Sequence, residues 1–256
     1  MSDWLDPVRE ALDAASSRIV FFLRDDDAGW EDEHLYRVLD LVTYFRVPID
    51  VAAIPMAISA SLAVELRAFL GARTPLVSVH QHGFAHVNHE PAGRRCEFGA
   101  SRPRDRQRQD LASGRERLQE ALGCALPPIF TPPWNRCTRD TAECLVELGF
   151  KILSRDVSAE TFGLARLHEA PVRLDWSGPR GAPAGTVRWG ETIARTIAAG
   201  QPIGVMLHHA AMTATDRRML SDLLRVLTAH PDVAVRCISD FASTPPISQG
   251  TSSCAL

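Results

Sequence analysis

Cysteine motifs, an excess of charge of one sign and long apolar runs are all missing from this chain. Its six cysteines (96, 124, 137, 144, 237 and 254) stand apart with no C-x-x-C pair, which excludes a zinc knuckle or a thiol redox motif. Cys137 and Cys144 fall at helical spacing and read as core residues. The formal net charge is only -3, with 23% charged residues, so nothing favours nucleic-acid binding by bulk electrostatics. No apolar run approaches the roughly 20 residues that span a bilayer. The start, Met1-Ser2-Asp3-Trp4-Leu5-Asp6, is acidic and lacks the basic stretch and apolar core of a secretory signal. A soluble cytoplasmic protein with no membrane span is the default expectation. There is no internal repeat and no clean linker. At 256 residues and 45% hydrophobic, the chain can bury a large core without disulfide staples. That length suits either one α/β barrel-sized domain or two small domains, and with no clean linker one domain is expected over residues 1–256, with its core at about 18–240 and a flexible tail over 243–256.

What the chain does have is alternation between two hydrophobic periods. Apolar runs rich in β-branched residues predict strands near 18–24, 48–54, 75–80, 127–131, 150–154, 202–207 and 232–237. Amphipathic stretches predict helices over 33–45, 62–70, 107–122, 138–148, 191–199 and 216–229. Pro48, Pro75, Pro128 and Pro202 stand where strands begin, and Gly71, Gly123, Gly149 and Gly200 close the preceding helices. The fold class is α/β, and a single-domain (β/α) barrel with about seven parallel strands fits better than a doubly wound sheet. The stretches 88–106 and 158–188, rich in Gly, Pro and Arg, read as the least regular.

Polar residues gather just past the predicted strand ends, the rim on which α/β barrels build their sites. Asp25, Asp26 and Asp27 follow the first strand. His80, His82 and His86 follow the third, Thr131 to Arg136 the fourth, Asp156 the fifth, and His208 and His209 a late one. Three consecutive carboxylates after a buried strand are costly without a cation. A carboxylate with two imidazoles is the ligand set of an open zinc site, with water in the fourth position. A second carboxylate nearby can take a proton from that water. His80 is expected to point away from His82 and to serve a structural role. His89 could share the face of His86, but Pro91 ends that turn and weighs against it. One of His208 and His209 should face the bowl, suited to proton transfer.

The ordered set of Arg24-Asp25-Asp26-Asp27, His82-Gly83-Phe84-Ala85-His86, Pro132-Pro133-Trp134-Asn135, Asp156 and Val205-Met206-Leu207-His208 resembles the polysaccharide deacetylases of the carbohydrate esterase family four type, over residues 18–240. The resemblance implies a distorted seven-stranded barrel and one divalent metal, usually Zn2+, with Co2+, Ni2+ or Mn2+ as substitutes. It implies Asp27, His82 and His86 as metal ligands, Asp26 as general base and His208 as general acid. The shifted register makes Asp25 the base and Asp26 the ligand. Pro133, Trp134, Asn135 and Arg136 would line the substrate groove. Arg24, Asp25, Asp156 and His209 are further candidates.

Two positions depart from the family pattern. Thr131 replaces an arginine that steadies the base, a task open to Arg24 or Arg136, and His209 replaces an aspartate. The basic stretch 88–106 (Arg94, Arg95, Arg102, Arg104, Arg106) reads as a solvated loop or as a lid that pairs with an anionic substrate group. The activity implied is removal of an N-acyl, usually N-acetyl, group from a small or lipid-linked amino sugar. The alternatives are hydrolysis of another C–N bond, allantoinase-like or deformylase-like, and a non-catalytic carbohydrate-binding relative.

Overall fold

The computed structural model describes residues 3–71, 76–176 and 183–243. Pro75, part of the 158–188 stretch and all of the tail after 243 lie outside them. Seven helices and nine strands alternate: α1 (Asp6–Asp13), β1 (Ile19–Ala28), α2 (Asp32–Phe45), β2 (Ile49–Ala53), α3 (Ala60–Leu70), β3 (Val77–His82), α4 (Arg104–Leu122), β4 (Ile129–Thr131), α5 (Arg139–Glu147), β5 (Ile152–Leu153), β6 (His168–Glu169), β7 (Val172–Asp175), α6 (Pro183–Ala198), β8 (Ile203–Leu207), α7 (Ala214–Ala229) and β9 (Val233–Val235).

All strand pairings are parallel, in the order β6-β5-β4-β3-β2-β1-β8-β7, and β9 pairs the first residues of β1. Only Ala170 and Pro171 separate β6 from β7. Val172 bridges Asp156 just past β5, then continues onto β8. Read as one interrupted stave, β6 and β7 close the sheet, and β1 to β5, β6/β7 and β8 make seven. The distorted parallel barrel expected from the alternation is the observed fold.

The seven expected strands all form. β6 and β7 arise inside the stretch that reads as irregular, because strands of two and four residues broken by a proline carry no usable periodicity. Helix α1 was not expected either. It starts with Pro7 in its first turn and buries Val8 and Leu12, one turn apart. Helix α6 begins eight residues ahead of the expected 191, since Gly185 and Gly190 disguise its first turns. Gly190 is there for contact: a Cβ would come within 1.9 Å of the Trp4 carbonyl oxygen.

Side chains of β1 alternate across the barrel wall, as strand geometry requires. Phe21 and Leu23 join the large core under the helices, whereas Phe22 packs inside the barrel with Ile129, Ile152, Val172 and Met206. Gly204, the register partner of Phe22 on β8, leaves room for its ring, since a Cβ there would lie 2.3 Å from Cζ. Each of these packing residues is buried, and each large apolar side chain contributes about 1.5–3 kcal/mol. Continued one more turn of the alternation, the same parity aims Arg24 and Asp26 into the barrel and Asp25 outward.

Candidate metal centre

The three aspartates therefore separate by geometry. Asp25 leaves the bowl. Its Oδ1 accepts from the His209 backbone N–H at 3.0 Å and its Oδ2 from His209 Nδ1 at 2.7 Å, while His209 Nε2 donates to the Trp30 carbonyl at 2.7 Å. Both side chains are fully buried. With both ring nitrogens donating, His209 is an imidazolium. Burial opposes that charge, but the Asp25 carboxylate outweighs it and lifts the imidazole to about 9. Because this value lies above the ordinary 6.5, the pair's stabilisation is complete below pH 6.5 and lost as pH rises through 9. Thermal midpoints across that window should fall in the native chain and stay flat in His209→Gln, at a lower level throughout. A flat native profile would refute the charged pair.

Asp26 faces inward against Arg24. Arg24 Nε lies 2.8 Å from Oδ1 and Nη2 2.8 Å from Oδ2, a bidentate fork. Arg24 also donates to Ser154 Oγ and Asn135 Oδ1, each at 2.8 Å, and to Met206 Sδ at 3.1 Å. Burial pushes the Asp26 carboxyl up, but the charges of Arg24, His82 and His208 prevail and hold it below its ordinary range. Arg24, and not a residue at position 131, is the arginine that holds Asp26. The Thr131 hydroxyl instead shares a 2.8 Å hydrogen bond with His80 Nε2.

Asp27 breaks the alternation. Its φ is +73° and the register with β2 slips between Asp25 and Ala28, a bulge that re-aims the side chain. Its Oδ1 lies 3.1 Å from His82 Nε2 and 3.2 Å from His86 Nε2. One ligand atom from each of Asp27, His82 and His86 lies within 4.8 Å of the others. His82 Nδ1 donates to the Thr131 carbonyl at 3.1 Å, which leaves Nε2 as the metal-facing nitrogen. Burial pushes Asp27 up, but hydrogen bonds and charge from the two histidines leave it far below the ordinary carboxylate range. A hard-to-protonate carboxylate and two imidazoles aimed at one point fit a divalent cation.

His80 and His82 are two residues apart on β3 and share its inner face, so His80 does not point away from His82. A strand repeats every two residues. Burial pushes His80 down to about 3, so it is a neutral, structural imidazole. The loop after β3 holds His86 in place by backbone geometry. Gly83 and His86 take φ of +58° and +56°, and a Cβ on Gly83 would sit 2.2 Å from Glu97 Oε2 and 2.5 Å from Pro133 Cγ.

Glu97, absent from the sequence reading, is fully buried. Its Oε2 accepts from the Phe84 N–H at 3.0 Å, and its Oε1 from Ala85 at 2.7 Å and Val87 at 3.4 Å. Three amides on one carboxylate curl the loop so that His86 meets Asp27. Its only signal in the sequence is weak: it is one of three acidic residues, with Glu90 and Asp105, in a largely basic stretch.

The rest of the rim is aromatic and basic. Trp134 and Asn135 have φ of +55° and +58°. The Trp134 ring centroid lies 4.5 Å from that of His86, and Trp30 lies 4.7 Å away on another side. Pro133 is buried against the Gly83 turn. Asn135 orients Arg24, and Arg136 Nη1 donates to the Arg95 carbonyl at 2.9 Å. His208 follows β8 with a buried Nδ1 that lacks a partner among the described residues. It lies close enough to Asp26 to act on that carboxylate electrostatically. Asp156 accepts from the backbone and hydroxyl of Ser158, a turn contact away from the triad. His89 is exposed and outside the ligand cluster. No helix among the described residues is long and apolar enough to cross a membrane.

No family model matches this sequence, and no curated protein matches it. Solved structures do resemble it. A Mycobacterium smegmatis protein assigned to the polysaccharide deacetylases superposes with a TM-score of 0.69 at 18% identity, covering 89% of this chain and 90% of that one. A family 4 carbohydrate esterase from Streptomyces lividans, solved with acetate, gives 0.56 at 12% identity, covering 88% and 94%. A family 4 pseudoenzyme from Bacillus anthracis gives 0.57 at 12% identity, covering 89% and 66%. Barrel closure, strand order and these superpositions agree: the chain has the fold of the family 4 carbohydrate esterases.

Proposed function

We propose that this protein is a metal-dependent hydrolase that removes an N-acyl group, N-acetyl in the first instance, from an amino sugar. The observation that carries the reading is the convergence of Asp27, His82 and His86 within 4.8 Å, beside a second, ionised carboxylate, Asp26, held by Arg24. Asp27, His82 and His86 would hold a zinc ion, or Co2+, Ni2+ or Mn2+ in its place. When bound, such an ion supplies Lewis acidity and lowers the pKa of a coordinated water.

The chain's own residues supply the rest. Asp26 takes the proton of the attacking water as the new C–O bond forms, and the Arg24 fork keeps that carboxylate ionised and aimed. His208 delivers a proton to the amide nitrogen as the C–N bond breaks, so a neutral amine leaves. An amide is a poor electrophile with a poor leaving group, which is why both ends need assistance. Trp134 offers a flat face for a sugar ring, with Pro133 and Asn135 fixing its position and Arg136 at the outer edge.

A screen of N-acetylated amino sugars for acetate release, with and without added zinc, tests the reading. Release that requires metal is expected; no release from any N-acyl amino sugar by zinc-loaded protein overturns the acetyl assignment. Turnover of cyclic ureides or N-formyl compounds instead would favour the wider C–N hydrolase alternative. The pseudoenzyme among the similar structures keeps a non-catalytic relative in view, and that reading predicts sugar binding without turnover.

A further inference from the structure

The segment between β3 and α4, residues 83–103, is long for a barrel connection and is a built structure. Besides the Glu97 anchor, Asn88 Oδ1 accepts from Glu90 N at 3.1 Å and Cys96 N at 2.9 Å. The Glu90 carboxylate takes Ser101 N at 3.1 Å and Ser101 Oγ at 2.6 Å. Gly99 makes room, since a Cβ would fall 1.8 Å from Glu90 Oε1. Phe98 bridges Cys137. The tip, Pro91 to Arg95, is thus held at both ends.

The arginines of this region divide into two sets. Arg102 pairs with Asp110, Arg104 with Glu147, and Arg106 bonds Gln109. These turn back onto the helices. Arg94 and Arg95 are exposed at the tip, and Arg136 reaches the Arg95 carbonyl. The Arg94 charge acts directly on Arg136. None of the three forms an ion pair among the described residues, and the neighbouring carboxylates, Glu90 and Glu97, are occupied by backbone and Ser101 donors. Arg136 follows the Trp134 turn that packs on His86, and its bond to the Arg95 carbonyl ties the tip to the residues beside the triad.

We propose that Arg94, Arg95 and Arg136 form a phosphate-binding rim beside the metal triad, so that the substrate is a phosphorylated amino sugar. This rests on the hydrolase reading above. Like charges gathered without counter-ions are unfavourable, and a phosphate relieves that with several charge-assisted, partly bidentate hydrogen bonds. In a chain with net charge -3, the rim is also a local attractor for an anion that the remaining surface repels.

The test uses metal-stripped full-length protein, because zinc would itself bind phosphate. Inorganic pyrophosphate is titrated calorimetrically into the native chain, Arg94→Ala/Arg95→Ala and Arg136→Ala. Native binding weakened about tenfold or more in each variant is expected. Equal binding in all three, or none by the native chain, overturns the proposal. Unchanged thermal midpoints check that the variants fold, and Arg94→Lys/Arg95→Lys should restore part of the affinity. Sedimentation with phosphatidylcholine vesicles, with and without phosphatidic acid, separates the phosphate sources. Phosphatidic-acid-dependent sedimentation lost in the variants assigns a lipid headgroup, and pyrophosphate binding without it assigns a soluble ester. Zinc content uses none of these arginines, so failure of the hydrolase reading is seen separately.

Discussion

Asp27→Ala and His82→Ala should each abolish stoichiometric zinc binding, whereas Asp26→Asn should keep the zinc and lose activity by about 10²–10⁴-fold. The division follows from the three positions of one strand end. Asp27 and His82 are in mutual contact at 3.1 Å, with His86 at 3.2 Å, so removing either leaves two of three protein donors. Asp26 contacts Arg24 instead and enters through its proton affinity. Zinc must displace protons from the imidazoles. Burial lowers His82, but its hydrogen bond to Asp27 raises it above the ordinary value. Zinc affinity should therefore fall as pH drops, and begin to fall at a higher pH than an ordinary imidazole would require. Metal content by mass spectrometry and acetate release on the same samples make the comparison. Zinc retained in Asp27→Ala, or lost in Asp26→Asn, would reverse the assignment of the two aspartates. His208→Ala should lose rate with metal retained, and loss of metal would make His208 a ligand.

Arg24→Met should cost about 3–5 kcal/mol, because it strands the Asp26 carboxylate in a fully buried position. Arg24 is wholly enclosed and spends its donors on Asp26, Ser154, Asn135 and Met206. Methionine fills a similar shape but leaves these acceptors without a charge. The Arg24→Met/Asp26→Asn double variant removes both charges and should recover much of the loss, a coupling that a double-mutant cycle measures. Arginine restored at Thr131 in the Arg24→Met background should rescue little, since Thr131 is buried against His80. Denaturant midpoints decide the matter. A loss below about 1 kcal/mol, or additivity of the two single variants, would show that the fork is not what holds Asp26.

Much of this protein was legible in its sequence for two physical reasons. Buried parallel strands are near-continuous apolar runs, and amphipathic helices repeat at 3.6 residues, so six of the seven staves, β9 and six of the helices could be read from their periods. Strand ends of a barrel face one rim, so the Asp25–Asp27 run and the His82/His86 pair could be assigned to one bowl. Short elements escaped: β6 and β7 are too brief to show a period, and α1 hides before the first recognised strand.

Only the tertiary structure decided where each carboxylate points. In sequence, Asp25, Asp26 and Asp27 differ by position alone. Strand parity turns Asp26 inward beside Arg24 and Asp25 outward to His209, and a bulge with positive φ returns Asp27 to the bowl. The same holds for Glu97, whose worth depends on three amides from a turn that it follows at no regular interval. Parity, bulges and long-range hydrogen bonds are set by how the barrel closes. The sequence by itself determined the kind of atoms at the rim; closure of the barrel determined where each one points.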